Sequence, residues 1–354
     1  MSSESVQALS MVLKNKELAL IAPHFFGYEK YIAEQFEREG YTVRYYDERK
    51  NDSKLTKIAI RLFPKLIQNQ INRYYRQILD ELKANQIERL VVIKSETMPL
   101  WFINEYKQWF PDSIMIHYMQ DSIKNYPHIA QKAKLFDYAM TFDRDDSVNF
   151  QWIFRPFFFH DGFRPSAQDP QTYELSFVGT IHGDRPSVMR KILANFPSGI
   201  EAKSFIYYFV PMKLMFLYGK YIRKDYQEIK LSDVSTVSLD GEEVSRIIKE
   251  SKCIIDIQHA NQSGLTARTI ETLGAKRKLI TTNRDITNYD FYEPRNILVI
   301  DRQNPVIDLS WLDTPYEAID PAIYEYYSLA GYVHTMIECF EGLHKTTKAE
   351  PDSE

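Results

Sequence analysis

The sequence predicts an α/β protein built as two doubly wound domains in tandem, and three observations carry that expectation. Short apolar runs of strand length alternate with helical periodicity through the first half of the chain. The same order restarts after a polar segment interrupted twice by proline. Further on, a buried strand pattern passes through a polar loop into a helix and then a further strand. Such alternation indicates βαβ units and parallel sheets. At 354 residues the length favours about two domains, each able to bury a core without staples.

The elements follow in order. Glu17 to Pro23 (ELALIAP) reads as a strand, and Tyr28 to Glu39 as a helix with Ile32 and Phe36 on one face, ended by Gly40. Tyr41 to Asp47 is the next strand, followed by a long basic helical region from Ser53 to about Ala84. Strands are expected at Arg89 to Lys94, Ser113 to Tyr118, Tyr138 to Phe142 and Trp152 to Phe159. Pro165 to Gln171 is the expected linker. After it Glu174 to Gly183 leads into a helix at Pro186 to Leu193, much as Glu17 to Gly27 leads into the first helix. The division expected is 1–165, 166–320 and a helical, aromatic 321–354 that ends in a polar tail, the residues from Lys345 on being expected to be disordered.

Composition narrows the function classes. Lys and Arg total 44 against 48 Asp and Glu, a formal net charge of −4, which argues against nucleic acid as the main partner. The two cysteines, Cys253 and Cys339, sit in apolar settings and read as core residues of a reduced, cytoplasmic protein. The start shows no secretory pattern, and no run reaches the roughly 20 apolar residues of a membrane span. Neither a Walker loop nor a G-x-G-x-x-G element is present, so ATPase and dinucleotide oxidoreductase readings lose their main support.

The most informative stretch is Asp256 to Glu271, followed by Lys278 to Asn283. It reads as a strand over Cys253 to Ile257, a polar loop, a helix opening at Gly264, and a second short strand. A helix N-terminus offers backbone N–H groups and a positive dipole end to a phosphate. Thr266, Arg268 and Glu271 lie on its first two turns, placing a hydroxyl, a cation and a carboxylate at the mouth. An ordinary strand–helix–strand unit has the same outline.

The motifs taken together resemble a known group. Tyr173 to Thr180 with Asp184-Arg185, Gly264-Leu-Thr-Ala-Arg268 with Glu271, Ile280 to Asn283 and Tyr289 to Tyr292 look like GT-B-type glycosyltransferases of bacterial capsule and lipopolysaccharide biosynthesis. In the first half Tyr118 to Asn125, Phe136-Asp137 and Thr141 to Asp143 recur in that group in the same order. The resemblance spans about Leu18 to Tyr292, and Gly-Leu-Thr-x-Arg-x-x-Glu is its most specific piece. It implies two Rossmann-like domains facing a central cleft, with a C-terminal helix crossing back. A nucleotide sugar would lie mostly on the second domain as donor substrate, with no further cofactor. The acceptor would enter from the first.

Carried over residue by residue, Arg268 and the N–H groups of Gly264, Leu265 and Thr266 would bind donor phosphate, Arg offering bidentate geometry. Glu271 would accept from the ribose hydroxyls, or else pair with Arg268 along the helix. Gly179 and Gly183 permit close backbone approach, and Arg185 or His182 would reach the transferred phosphate. His182 also reads as a loop residue without chemistry. One departure stands out: many retaining members carry a second glutamate eight positions before the one matching Glu271, and this chain has Ser263 there. The stereochemical outcome stays open.

In the first domain, His24, directly after the first strand, and Asp121, at the end of another, are the candidates for the base that deprotonates the acceptor. Asp121 equally reads as a cap of the turn into Asn125, and His117 as a core residue. Asp143-Arg-Asp-Asp146 reads better as a helix start than as a metal site, and no zinc spacing is present. Arg49 to Arg76 carries eight basic residues, Arg49, Lys50, Lys54, Lys57, Arg61, Lys65, Arg73 and Arg76, against Asp52 alone. With Ile58, Leu62, Leu66 and Ile67 it would form a basic amphipathic helix suited to anionic lipid, or else a solvated face. A second run, Phe205 to Lys224, mixes Tyr, Phe, Met and Leu with Lys213, Lys220, Arg223 and Lys224.

The expectation is thus a cytoplasmic glycosyltransferase, at the inner face of the plasma membrane if the basic segment docks there, acting on a glycan or lipid-linked acceptor. A GT-B-like epimerase and a non-catalytic binding subunit are the alternatives.

Overall fold

The structure is a computed structural model, and it describes residues 16–24, 27–49, 64–181, 183–223, 227, 229–259 and 264–343, with the backbone alone at 64–67 and 223. Two compact units share the chain. One runs to Pro156 and resumes at Tyr332; the other is Phe157–Gly331.

Among the described residues the first unit carries six parallel strands: β1 (Glu17–Ala22), β2 (Thr42–Asp47), β3 (Arg89–Ile93), β4 (Ile114–Met119), β5 (Tyr138–Thr141) and β6 (Ile153–Phe154), in the spatial order β2-β1-β3-β4-β5-β6. The central strands are apolar without alternation because helices cover both faces; Leu18 to Ile21 and Leu90 to Val92 are fully buried. Helix α1 (Tyr28–Arg38) follows β1, and α2 (Pro64–Ala84) follows β2. Tyr75, Ile78, Leu79 and Leu82 of α2 pack into the core against Phe102 and Tyr106 of α3 (Leu100–Trp109). The short helices α4 (Ile129–Ala133) and α5 (Arg144–Phe150) complete the crossovers. Asp143 caps α5 by accepting from the N–H groups of Asp145 and Asp146, so the acidic run starts a helix. His117 is a buried sheet residue whose Nε2 lies 2.9 Å from Ser95 Oγ.

The second unit repeats the plan with β7 (Tyr173–Thr180), α6 (Arg185–Leu193), β8 (Ser204–Phe209), α7 (Lys213–Tyr218), β9 (Val234–Ser235), α8 (Gly241–Lys249), β10 (Ser251–Asp256), α9 (Ala267–Gly274), β11 (Lys278–Thr281) and β12 (Ile297–Val299). The order is β12-β11-β10-β7-β8-β9, all parallel. Short helices α10 (Ser310–Asp313) and α11 (Pro321–Tyr326) follow, then α12 (Leu329–Phe340). Cys253 and Cys339 are both buried thiols.

Three expectations need correction. The last expected strand of the first half is only Ile153–Phe154, and Phe159 instead forms a bridge to Ser328. That bridge, with Phe159 N–H donating to Tyr327 O at 3.0 Å, ties 157–164 to the second unit, so the division falls at Pro156 and not at residue 165. The C-terminal helical region is two helices, broken at Tyr327-Ser328. Gly331 N–H bonds Ser328 Oγ at 3.1 Å, and a Cβ at Gly331 would run into the carbonyl oxygens of Glu325 and Tyr326. From Tyr332 onward α12 belongs to the first unit: Tyr332 packs edge-on to Tyr118 with centroids 5.0 Å apart, and Phe340 lies 6.2 Å from Tyr41.

Candidate functional site

In the second sheet the chain winds outward from β7 to β8 and β9 on one side and, through β10, to β11 and β12 on the other. Loops leaving the carboxyl ends of β7 and β10 therefore diverge, opening the crevice in which α/β sheets hold ligands.

Arg185, in the first turn of α6, bridges the two strand ends: Nε donates to Ile257 O at 2.6 Å and Nη1 to Thr180 O at 2.9 Å. Burial lowers its pKa, opposed by the charge of Asp256. Its guanidinium thus already holds the crevice walls, where the sequence reading gave it phosphate. Gly179 stands beside it; a Cβ there would meet the Phe177 ring at 2.9 Å and Arg185 Nη1 at 3.6 Å. His182 lies outside the described residues.

Asp184 takes a bidentate pair from Arg302, at 2.8 Å from Nε and 2.5 Å from Nη2. Arg302 Nη1 also donates to Gln258 O at 3.0 Å. This one side chain links the loops after β7, β10 and β12, and nothing in the sequence marked it.

Helix α9 opens at Ala267, three residues after Gly264, because Thr266 is its N-cap and accepts from Thr269 N at 3.3 Å. The hydroxyls of Thr266 and Thr269 both donate to Asp256 Oδ2, at 2.8 and 2.7 Å, fastening the first turn to the end of β10. Leu265, just before the cap, is buried. The first-turn N–H groups and the positive helix end sit at the strand terminus, the arrangement that suits an anion. One turn in, Arg268 Nη1 pairs with Glu271; the guanidinium is 18% exposed and the carboxylate 3%. The ion pair along the helix therefore forms, with the carboxylate buried and the guanidinium half-buried. Glu271 also faces His160, whose pKa is lowered by burial and pulled back up by that carboxylate.

In the first sheet β1 pairs with both β2 and β3, so its switch point lies between β1 and β3. His24, just past β1, places Nδ1 2.6 Å from Glu29 Oε1 on the first turn of α1. The histidine side chain is 55% exposed and the carboxylate 2%. A carboxylate on one imidazole nitrogen fixes the tautomer and leaves the other, Nε2, to take a proton. Asp121 is engaged otherwise: Oδ1 accepts from Ser122 N at 3.0 Å and Asn125 Nδ2 at 2.9 Å, and Oδ2 lies 3.8 Å from Lys94 Nζ. That is the capping role, made firmer by a cation. Beside it Lys94 and Ser95 are consecutive non-glycine residues with φ of 77° and 57°, held in place by Lys94 N–H to Tyr118 O and Lys132 Nζ to Ser95 O. Such backbone costs about 1–3 kcal/mol per residue and clusters at functional sites.

Against solved structures, the chain is similar to Anabaena HepE in complex with UDP-glucose, with a TM-score of 0.61 and 7% identity over 92% of this chain and 100% of that one. It is similar to the N-terminal domain of Candida albicans trehalose-6-phosphate phosphatase, with a TM-score of 0.58 and 8% identity over 92% and 97%. It is also similar to Methanocaldococcus jannaschii UDP-GlcNAc 2-epimerase in complex with UDP-GlcNAc and UDP, with a TM-score of 0.51 and 11% identity over 92% and 99%. The fold is GT-B. No protein-family model matches the sequence, and no curated protein matches it.

The sequence reading did not mark the groups that hold its candidates in place: Asp256 holds Thr266, Glu29 holds His24, and Arg302 holds Asp184 beside Arg185. Ser263, where retaining members carry their second glutamate, lies outside the described residues. So does most of the basic segment, residues 50–63. Of its described side chains, Arg76 pairs with Glu105 and covers Trp101, 4.1 Å from the ring centroid. Among the described residues, no group of His, Cys, Asp or Glu is arranged to hold a metal ion, and no helix is long and apolar enough to cross a membrane.

Proposed function

We propose that this chain is a glycosyltransferase that moves a sugar from a nucleotide-sugar donor to a glycan or lipid-linked acceptor in bacterial surface-polysaccharide assembly. The observation that carries the reading is the end of β10, where Asp256 anchors the capped N-terminus of α9 with Arg268 and Glu271 one turn in. The donor diphosphate would sit on that helix end, with Arg268 turning part of its fork toward phosphate. Glu271, held by the same arginine, would accept from the ribose hydroxyls. Neutralising the leaving diphosphate is the main electrostatic task in such a transfer. His24, oriented by Glu29, would take the acceptor proton.

HepE, solved with UDP-glucose, and the archaeal epimerase, solved with UDP-GlcNAc and UDP, share this fold with ligands of the proposed donor class. The epimerase likeness also supports a second reading, rearrangement of a nucleotide sugar without transfer. Nucleotide release on adding candidate acceptors separates the two. A transferase releases nucleoside diphosphate only when acceptor is present, whereas an epimerase returns an isomeric nucleotide sugar with none. Neither product from any nucleotide sugar that binds would overturn both.

A further inference from the structure

A cluster of exposed apolar side chains projects from α7 and from the π-helical turn, Gly219–Arg223, that continues it. Leu214 is 73% exposed, Ile222 67% and Tyr221 66%, with Met215 and Tyr218 about half exposed, at 49% and 56%. Phe216, fully buried, anchors the element to the core of the second unit. A helix apolar on nearly every side is normally buried, and a continuous exposed patch of this kind marks a surface that is covered in use.

Charge selects what covers it. No acidic residue occurs from Lys203 to Lys224, a stretch whose sequence includes Lys213, Lys220, Arg223 and Lys224; among the described side chains Lys213 is exposed beside the patch and Lys220 is half-buried within it. A second copy meeting it across a two-fold axis would set these cations face to face. Lysine is depleted at the cores of protein interfaces. Tyrosine beside aliphatic side chains with a basic rim is instead the pattern of an element lying in a bilayer interface, where the phenol sits at head-group level.

We infer that the α7 face of the second unit docks on an anionic lipid surface, with Leu214, Met215, Tyr221 and Ile222 entering the head-group region and Lys213 meeting lipid phosphate. The inference is independent of the donor reading and lies outside the basic segment at 49–76.

Co-sedimentation of the full chain with phosphatidylcholine–phosphatidylglycerol vesicles, beside phosphatidylcholine alone, tests it. Wild type is expected to pellet with the anionic vesicles, at least about tenfold more weakly with neutral ones, and progressively less as salt rises. Leu214→Ser/Ile222→Ser and Lys213→Glu are each expected to lose about tenfold or more of this binding while keeping the wild-type melting temperature. Any nucleotide affinity should be untouched, so failure here and failure of the donor reading are separable. No wild-type binding at low salt overturns the inference. Variants that bind as wild type overturn it too, and move any docking to another surface. A dimer in light scattering that Leu214→Ser/Ile222→Ser abolishes would also overturn it, by assigning the patch to a second copy.

Discussion

His24 Nδ1 lies 2.6 Å from the buried carboxylate of Glu29, so an exposed imidazole at the end of β1 is held by a carboxylate fixed in the first turn of α1. The two residues belong to different elements, and the loop between them turns at Gly27, whose φ is 82°. An exposed histidine so restrained is suited to proton transfer in one direction only, through Nε2.

If that imidazole takes the acceptor proton, His24→Ala should lower kcat by about 10²–10⁴-fold with donor affinity unchanged. Glu29→Gln should lose on the order of 10²-fold or more by releasing the tautomer, and its effect should vanish in a His24→Ala background. Steady-state kinetics with calorimetric donor binding reads both. Full turnover in His24→Ala would leave the pair a loop fastening.

The pairing of Arg268 with the buried carboxylate of Glu271 changes what an alanine substitution reports. Arg268→Ala deprives an almost fully buried carboxylate of its cation, and a loss on the order of 3–5 kcal/mol in stability is expected. Adding Glu271→Gln should recover most of it. Denaturant unfolding of the two single variants and the double checks the coupling; additive effects would mean the pair contributes little.

Burial pushes the His117 imidazole down to about 4. The folded state therefore holds it neutral where the unfolded chain, near 6.5, is already taking up its proton. Acidification from about pH 6.5 to about pH 4 should cost stability through this residue, at about 1.4 kcal/mol per unit, and above that window it contributes no slope. His117→Gln, which can still bond Ser95, should be relatively more stable at pH 5 than at pH 7.5 when each is compared with wild type. A pH-independent difference in urea unfolding would contradict this.

The doubly wound order was legible because the central strands are buried on both faces and so appear as unbroken apolar runs, such as Leu18 to Ile21 and Cys253 to Ile255. The start of α9 was misplaced because glycine reads as a helix boundary, while the cap is Thr266, identified by its bonds to Asp256 and Thr269. Arg302 escaped notice for a plainer reason: its partner Asp184 is 118 residues away, and no local pattern encodes such a pairing. Arg185 was assigned to phosphate by motif, and only its position between Thr180 O and Ile257 O shows what its guanidinium already holds. The break before α12 rests on one serine and one glycine inside an apolar run, too little for periodicity to register.

The central claim is that the crevice at the ends of β7 and β10 binds a nucleoside diphosphate and its sugar esters. Calorimetric titration of UDP, UDP-glucose and the other nucleoside diphosphates into wild type and Arg268→Lys tests it most directly. Lysine keeps the charge beside Glu271 but removes the planar fork. The account predicts that at least one diphosphate binds wild type, and that Arg268→Lys weakens it by about 1.5–3 kcal/mol, the scale of a hydrogen bond to a charged group. Binding by none of them, or equal binding to both proteins, would contradict it.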